Sequence, residues 1–201
     1  MDAFLALLQQ PAVGPITWAE LFGDVTGALC VWLVARQHIS SWPVGLVNNA
    51  LFFLLFWTAK LYADASLQVV FAILALYGWW VWWSGQGGAP LPVRRTRPAE
   101  WAWLAVGVVF ATAILGLLLD RYTDSPVPWW DATVTALSLA ATYGQARKLL
   151  ESWWLWIAVD VLSIPLYAIR GLYPTAALYG VFLVLCVVGL RAWARDLREP
   201  A

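Results

Sequence analysis

Trp153, Trp156 and Asp160 stand at spacing i, i+3, i+7 inside the stretch "WWLWIAVDVLSIPLY" (residues 153–167). On a helix with 3.6 residues per turn these three side chains share one face. Two indole planes and a carboxylate on one stripe suit a flat, ring-containing polar solute. They do not suit covalent catalysis, which needs an activated nucleophile, a base or a metal. An acid in so apolar a segment costs about 2.5–3.5 kcal/mol on insertion scales, so such residues face a cavity or a partner. No Lys or Arg is available at that depth in any apolar segment, which favours water or a ligand facing Asp160, with a protonated, silent acid as the alternative. Pro165, five residues on, removes one intrahelical hydrogen bond and pushes against the carbonyl of Val161. It reads as a gating hinge or as a static bend.

The elements that must position this stripe are membrane-spanning. The 201-residue chain is 62% hydrophobic and 12% charged, against about 25% charged residues in a soluble domain. Its mean hydropathy is +0.71. Sixteen tryptophans fit the two membrane interfaces, where indoles gather. A net charge of zero argues against nucleic acid as a partner. A spanning helix needs about 20 apolar residues, and seven segments qualify: Thr17–Ala35, Trp42–Ala59, Ala65–Trp83, Glu100–Leu119, Trp130–Ala146, Trp153–Ile169 and Tyr173–Trp193. The fold class is an all-α membrane protein. The basic residues at the ends of odd-numbered helices outnumber those at the ends of even-numbered helices nine to three. This places the N-terminus outside and the C-terminus in the cytoplasm. The opening "AFLALLQQ" is too short to span and reads as an interfacial segment within residues 1–16. Its head lacks the basic start of a secretory signal peptide, so it is expected to remain in the mature protein.

Comparison of the chain with itself adds an internal repeat. An ungapped alignment sets Ala35–Trp82 on Ala146–Trp193, with fifteen of 48 positions identical. Among them are Ser41/Ser152, Trp42/Trp153, Gly78/Gly189 and Trp82/Trp193. The organisation is therefore a first three-helix repeat over 17–83, a loop over 84–99, a linker helix and outer loop over 100–129, a second repeat over 130–194 and a tail over 195–201. The linker helix makes both copies run in the same direction, a 3+1+3 parallel pseudo-repeat. Transporters built from repeats hold their solute near the midplane, between the repeats. The repeat mate of Asp160 is Asn49, preceded by Asn48, and Gln68 pairs with Tyr179. These polar side chains at matched depths predict a central cavity lined by aromatic faces and hydrogen-bonding groups. Trp153 also fits an interfacial anchor. Asn49, Gln68 and Tyr179 also fit helix–helix contacts, since amides bond across helices in membranes.

Other chemistries find no motif. There is no phosphate loop of the G-x-x-x-x-G-K-[ST] type, and "GQGG" (residues 85–88) lies beside a helix end. No Ser/His/Asp set, HExxH or CxxC occurs, so no catalytic residue and no cofactor is assigned. His38 is the single histidine, beside Arg36 in a short connection. With no clustered Cys or acid, no metal site is assigned. Cys30 and Cys186 both lie in apolar runs and read as small buried hydrophobes. Asp131 begins a helix, where an acid favours the helix dipole.

Two stretches, "WPVGLVNNALFFLLFWTAKLYADASLQVVFAILALYGWWVW" (42–82) and "WWLWIAVDVLSIPLYAIRGLYPTAALYGVFLVLCVVGLRAW" (153–193), resemble the two halves of the PnuC family of bacterial vitamin transporters. The likeness runs from about Ile16 to Trp193. It is carried in order by "KLYADxxLQ", "YGWW", the W-x-x-W of Trp153 and Trp156, and "GLYxTAxLY". The resemblance implies a fold like that of the SWEET sugar transporters, a homotrimer in the bacterial inner membrane and one path per protomer. It implies facilitated diffusion of nicotinamide riboside, a vitamin B3 precursor, for NAD biosynthesis, with trapping by a separate cytoplasmic kinase. It also implies substrate contact for Trp153, Trp156, Asp160, Asn48, Asn49, Gln68 and Tyr179. An acid at position 160 suits a cationic solute such as the nicotinamide riboside pyridinium or thiamine, or a bound proton. Thiamine and riboflavin carriers share the scaffold, so both remain alternatives, as does proton coupling.

Overall fold

A computed structural model describes residues 10–13, 16–58, 62–87, 89–169 and 171–198. The proposed interfacial segment lies almost wholly outside the described residues, and Lys60 and Arg170 lie outside them altogether. Among the described residues a short antiparallel pair, β1 (Pro11–Val13) and β2 (Ile16–Thr17), precedes seven helices. These are α1 (Trp18–Ala35), α2 (Ser41–Thr58), α3 (Tyr62–Ser84), α4 (Pro98–Tyr122), α5 (Pro128–Ala146), α6 (Ser152–Ile169) and α7 (Tyr173–Arg198).

The helices sit where the apolar runs predict them, with two informative extensions. Helix α3 starts three residues early and carries Asp64 in its first turn, where a negative charge meets the positive end of the helix dipole. Helix α7 runs past Trp193 to Arg198 because "ARDLR" is a good helix former, and Arg195 and Arg198 favour its C-terminal end. Four helices, α3, α4, α6 and α7, are long and apolar enough to cross a bilayer by length and composition. Helix α1 contributes only the shorter apolar stretch Leu21–Ala35. Helix α2 carries Pro43, Asn48 and Asn49, and α5 is rich in Ala and Thr, which lowers the hydropathy of both.

Helices α1, α2 and α3 pack in sequence, and so do α5, α6 and α7. The two sets meet through α1 against α7 and α3 against α5, while α4 leans on α5. The core lies at the end of the bundle where α1, α3, α5 and α7 finish and where α2 and α6 begin. Its centre is Trp42, Trp82, Trp153 and Trp193.

Contacts in this core recur in the register of the sequence repeat. Trp42 stands edge-on to Trp82 at 5.3 Å and 88°, and Trp153 stands edge-on to Trp193 at 5.4 Å and 87°. Such T-shaped pairs set the positive ring edge on the negative ring face. Trp82 donates from Nε1 to the Gln145 carbonyl (3.2 Å), and Trp193 donates to the Val34 carbonyl (3.1 Å). Each bond joins the last helix of one set to the first helix of the other. Gly78 and Gly189 make the seating possible. A Cβ on Gly78 would lie 2.2 Å from Trp42, and one on Gly189 would lie 2.4 Å from Trp153.

The connections at this end also match. Gln37 (φ 54) and Lys148 (φ 48) are the two described non-glycine residues with positive φ, and they meet across the two sets. Lys148 donates from Nζ to Gln37 Oε1 (2.7 Å), and Gln37 donates to Asp196. The Lys148 ammonium also stands 4.5 Å over the Trp82 ring, a cation–π contact. The segment before α4 straps the second set here. Arg94 N–H donates to the Lys148 carbonyl (3.0 Å) and Leu150 N–H to the Arg94 carbonyl (2.9 Å). Glu151 accepts from both Thr96 N–H and Thr96 Oγ1 at 2.8 Å. Arg94 pairs with Glu100 in the first turn of α4 at 2.6 Å.

Lys148 yields a pH prediction. It is 5% exposed, and burial lowers its amine from 10.5 to about 8, against an opposing pull from Asp196. Between pH 8 and 10.5 the unfolded chain therefore holds more protons than the folded one, and stability climbs with pH across that window. The thermal midpoint of the detergent-solubilised protein is expected to rise as pH is raised from 7.5 toward 9.5. In Lys148→Met that increment should be absent. An equal rise in both proteins would remove Lys148 as its source.

Candidate functional site

Helix α6 carries the stripe that the sequence singles out, and its residues divide between two environments. Trp153 is wholly buried in the aromatic core, seated on Gly189. Trp156, one turn on, is half-buried and packs against the edge of that core. Asp160, one further turn along, is 2% exposed and lies beside the Cys186 thiol of α7. Four polar atoms on this face of α6 are buried with no hydrogen-bond partner: Trp153 Nε1 inside the aromatic core, and beyond it Trp156 Nε1, Asp160 Oδ2 and Ser163 Oγ.

Helix α7 supplies the facing wall. Tyr179 is half-buried, stacks on Tyr167 of α6 (5.1 Å, 23°) and meets Phe182 edge-on (5.8 Å, 84°). Its hydroxyl lies near Ser163, within electrostatic reach of Asp160. Phe182 closes the group against α1, because a Cβ on Gly27 would sit 3.3 Å from its ring. The structure thus brings together Asp160 and Tyr179, with Trp156 one helical turn from Asp160 on the same face of α6. It adds Ser163, Tyr167, Phe182 and Cys186, which the sequence reading does not place there. One signal for Ser163 was present in the repeat: its mate is Phe52, so a hydroxyl replaces a ring. For Cys186 the mate is Ala75, and nothing in the pattern sets it beside an acid.

The two amides of α2 differ. Asn48 donates from Nδ2 to the Gly23 carbonyl (2.9 Å) and to Thr26 Oγ1 (2.7 Å), fastening α2 to α1. This is the helix-to-helix contact that intramembrane amides make. Asn49 is half-buried and makes no hydrogen bond to a described residue, and the same holds for Gln68 on α3. Both amides have donors and acceptors to offer. Pro165 is exposed, and α6 continues through it to Ile169. Asp131 accepts from Ser125 Oγ in the first turn of α5. His38 accepts from Ser40 N–H through Nδ1 at 3.3 Å in the α1–α2 connection.

An acid, an indole and tyrosines therefore converge where α6 and α7 meet α1, inside a bundle with several bilayer-spanning helices. This defines a multi-pass membrane protein with a buried polar cluster between its helices. The model of a family described as nicotinamide mononucleotide transporter matches residues 17–195, and the chain belongs to that transporter family. It is 31% identical to the nicotinamide riboside transporter PnuC of Escherichia coli strain K12, over 92% of this chain and 88% of that protein. It is also 31% identical to the riboflavin/roseoflavin transporter RibM of Streptomyces davaonensis, over 89% of this chain and 85% of that protein. The crystal structure of the vitamin B3 transporter PnuC has the same fold. It superposes with a TM-score of 0.75 at 24% identity, covering 94% of this chain and 85% of that one.

Proposed function

We propose that this protein carries nicotinamide riboside across the bacterial inner membrane by facilitated diffusion, feeding NAD biosynthesis through a separate cytoplasmic kinase. The carrying observation is the pairing of a buried, partly unsatisfied carboxyl at Asp160 with the indole of Trp156. No Lys or Arg lies in the interior of α1, α2, α3, α5 or α6. A pyridinium riboside brings the positive charge that this site lacks. A mononucleotide would bring a phosphate to an acid with no cation beside it. Cation–π attraction to Trp156 adds about 2 kcal/mol once the ring is desolvated.

In this reading the substrate lies among Trp156, Asp160, Asn49, Gln68 and Tyr179. Trp153 and Asn48 support it from the core and from α1. The seven helices all span, as a 3+1+3 parallel pseudo-repeat. Core contacts that recur in the repeat register support it, and α4 as the linker sets both halves in one direction. The N-terminus is outside and the C-terminus cytoplasmic, on the nine-to-three asymmetry of basic residues. Alternating access then requires the Lys148–Gln37–Asp196 contacts between the halves to open, with Pro165 as a hinge in α6. A homotrimer accommodates the broad apolar face of α4, on which Trp103, Val106, Val109 and Phe110 are exposed. Riboflavin is the second reading, favoured by the equal identity to the riboflavin carrier. Thiamine, also a cation, fits Asp160 as well.

The test is uptake into proteoliposomes loaded with purified protein. Nicotinamide riboside should enter saturably, equilibrate without uphill accumulation and ignore an imposed pH gradient. Accumulation driven by an inward proton gradient would instead make Asp160 a proton carrier.

A further inference from the structure

We propose that Ser163 is a substrate-binding residue that, with Asp160, hydrogen-bonds the hydroxyls of the five-carbon sugar or polyol part of the transported molecule. The proposal rests on the transport reading above and extends it to a residue that reading does not use. Ser163 has no exposed surface, and its Oγ makes no hydrogen bond of ordinary length, the Tyr179 hydroxyl being the polar group that interacts with it. Several helical hydroxyls elsewhere in the chain bond back to the carbonyl four residues earlier, while Ser41 Oγ, in the first turn of α2, is likewise buried and unpaired. Thr26 does so to Phe22 (2.6 Å), Ser66 to Tyr62 (2.8 Å), Ser138 to Val134 (2.8 Å) and Thr142 to Ser138 (2.8 Å). Ser163 leaves the Val159 carbonyl alone and lies instead near Tyr179. A buried hydroxyl without a partner is destabilising, so its retention needs a reason.

The neighbours supply the reason. Trp156 Nε1, Asp160 Oδ2 and Ser163 Oγ are unpaired along one face of one helix and span roughly 10 Å at about 1.5 Å per residue. That column is a donor, then an acceptor, then a hydroxyl that can act as either. A ring at Trp156 followed by a diol at Asp160 and Ser163 matches it in order. The carboxylate accepts a hydrogen bond from one hydroxyl of the diol, and Ser163 exchanges a hydrogen bond with the next. The first half of the chain cannot do this. At the matching position Phe52 fills the space, its ring set so closely on α1 that a Cβ on Gly23 would lie 2.5 Å away. The polar column is therefore a property of α6 alone, which makes the binding site asymmetric although the scaffold repeats.

The experiment is calorimetric titration of the full-length wild type and Ser163→Ala in detergent. The ligands are nicotinamide riboside and its dideoxy analogue lacking both ribose ring hydroxyls, with riboflavin and lumiflavin, which lacks the ribityl hydroxyls, as a second pair. Wild type should prefer the hydroxylated member of the pair it binds. Ser163→Ala should weaken that member by about 3–10-fold, the worth of one hydrogen bond, and leave the deoxygenated member unchanged. The apo variant should melt at or above the wild-type temperature, because an unsatisfied hydroxyl is gone. Selective loss within the riboflavin pair would sink the nicotinamide riboside reading and uphold the role of Ser163. Equal affinities in variant and wild type would overturn the proposal, as would a parallel loss for both members together with a lowered melting temperature. Failure of wild type to bind either pair would overturn both the proposal and the transport reading.

Discussion

Trp156→Ala is expected to abolish saturable uptake of nicotinamide riboside while the protein remains folded and inserted. The side chain sits at the boundary between the aromatic core and the Asp160 group, half-buried and with its N–H unpaired. Stacking of a base on an aromatic side chain is worth about 1–3 kcal/mol by alanine substitution, and a desolvated cation–π contact about 2 kcal/mol. Together these exceed about 3 kcal/mol, a loss of at least roughly 100-fold in affinity. The expectation for Trp153→Ala differs although the residue is one turn away. Trp153 is wholly buried on Gly189 and against Trp193, and truncation of a core tryptophan costs about 3–5 kcal/mol of stability. Its signature is a lowered melting temperature and poor recovery of protein, whatever the ligand. A Trp156→Ala protein that transports at the wild-type rate would remove the indole from the site.

The second large effect falls on stability, at two glycines that the repeat makes equivalent. Gly189→Ala places a methyl 2.4 Å from Trp153 Cη2, and Gly78→Ala places one 2.2 Å from Trp42 Cη2. In both, the obstacle is a tryptophan locked by an edge-to-face partner, so the ring cannot swing aside without losing that contact. Overpacking of this kind costs about 1–3 kcal/mol. Each variant should therefore melt well below wild type, and the two should fall by similar amounts. Pairing Gly189→Ala with Trp153→Phe, or Gly78→Ala with Trp42→Phe, should recover part of the loss, since phenylalanine does not reach the added methyl. Strict additivity in the double variants would show that glycine and indole do not act as a seated pair.

These two expectations show how far the sequence could be read. The helices were legible because apolar runs of spanning length end at charges, glycines and prolines. The repeat was legible because tryptophans and glycines align in one register, and the structure gives that register contacts: Gly78 under Trp42, Gly189 under Trp153. The wall of the site was only partly legible. Spacing places Trp153, Trp156 and Asp160 on one helical face, but a face runs the length of a helix and passes from core to cavity. What separates Trp153 from Trp156 is Gly189 on another helix, which local spacing does not show. Asn48 and Asn49 are adjacent in sequence and point about 100° apart on a helix, so one fastens α1 and the other does not. Ser163 was silent for a different reason. Serine in an apolar helix ordinarily bonds back to its own turn, and only the geometry reveals that this one does not.

The most direct test of the central claim is calorimetric titration of the purified protein with nicotinamide riboside, nicotinamide mononucleotide, thiamine and riboflavin in parallel, repeated with Trp156→Ala. A buried acid one helical turn from an indole, with no Lys or Arg in the interior of α1, α2, α3, α5 or α6, predicts saturable binding of the riboside. The phosphorylated form should fail to bind, and the riboside signal should vanish in the variant. Preferential binding of the mononucleotide or of riboflavin, or riboside binding that survives Trp156→Ala, would contradict it.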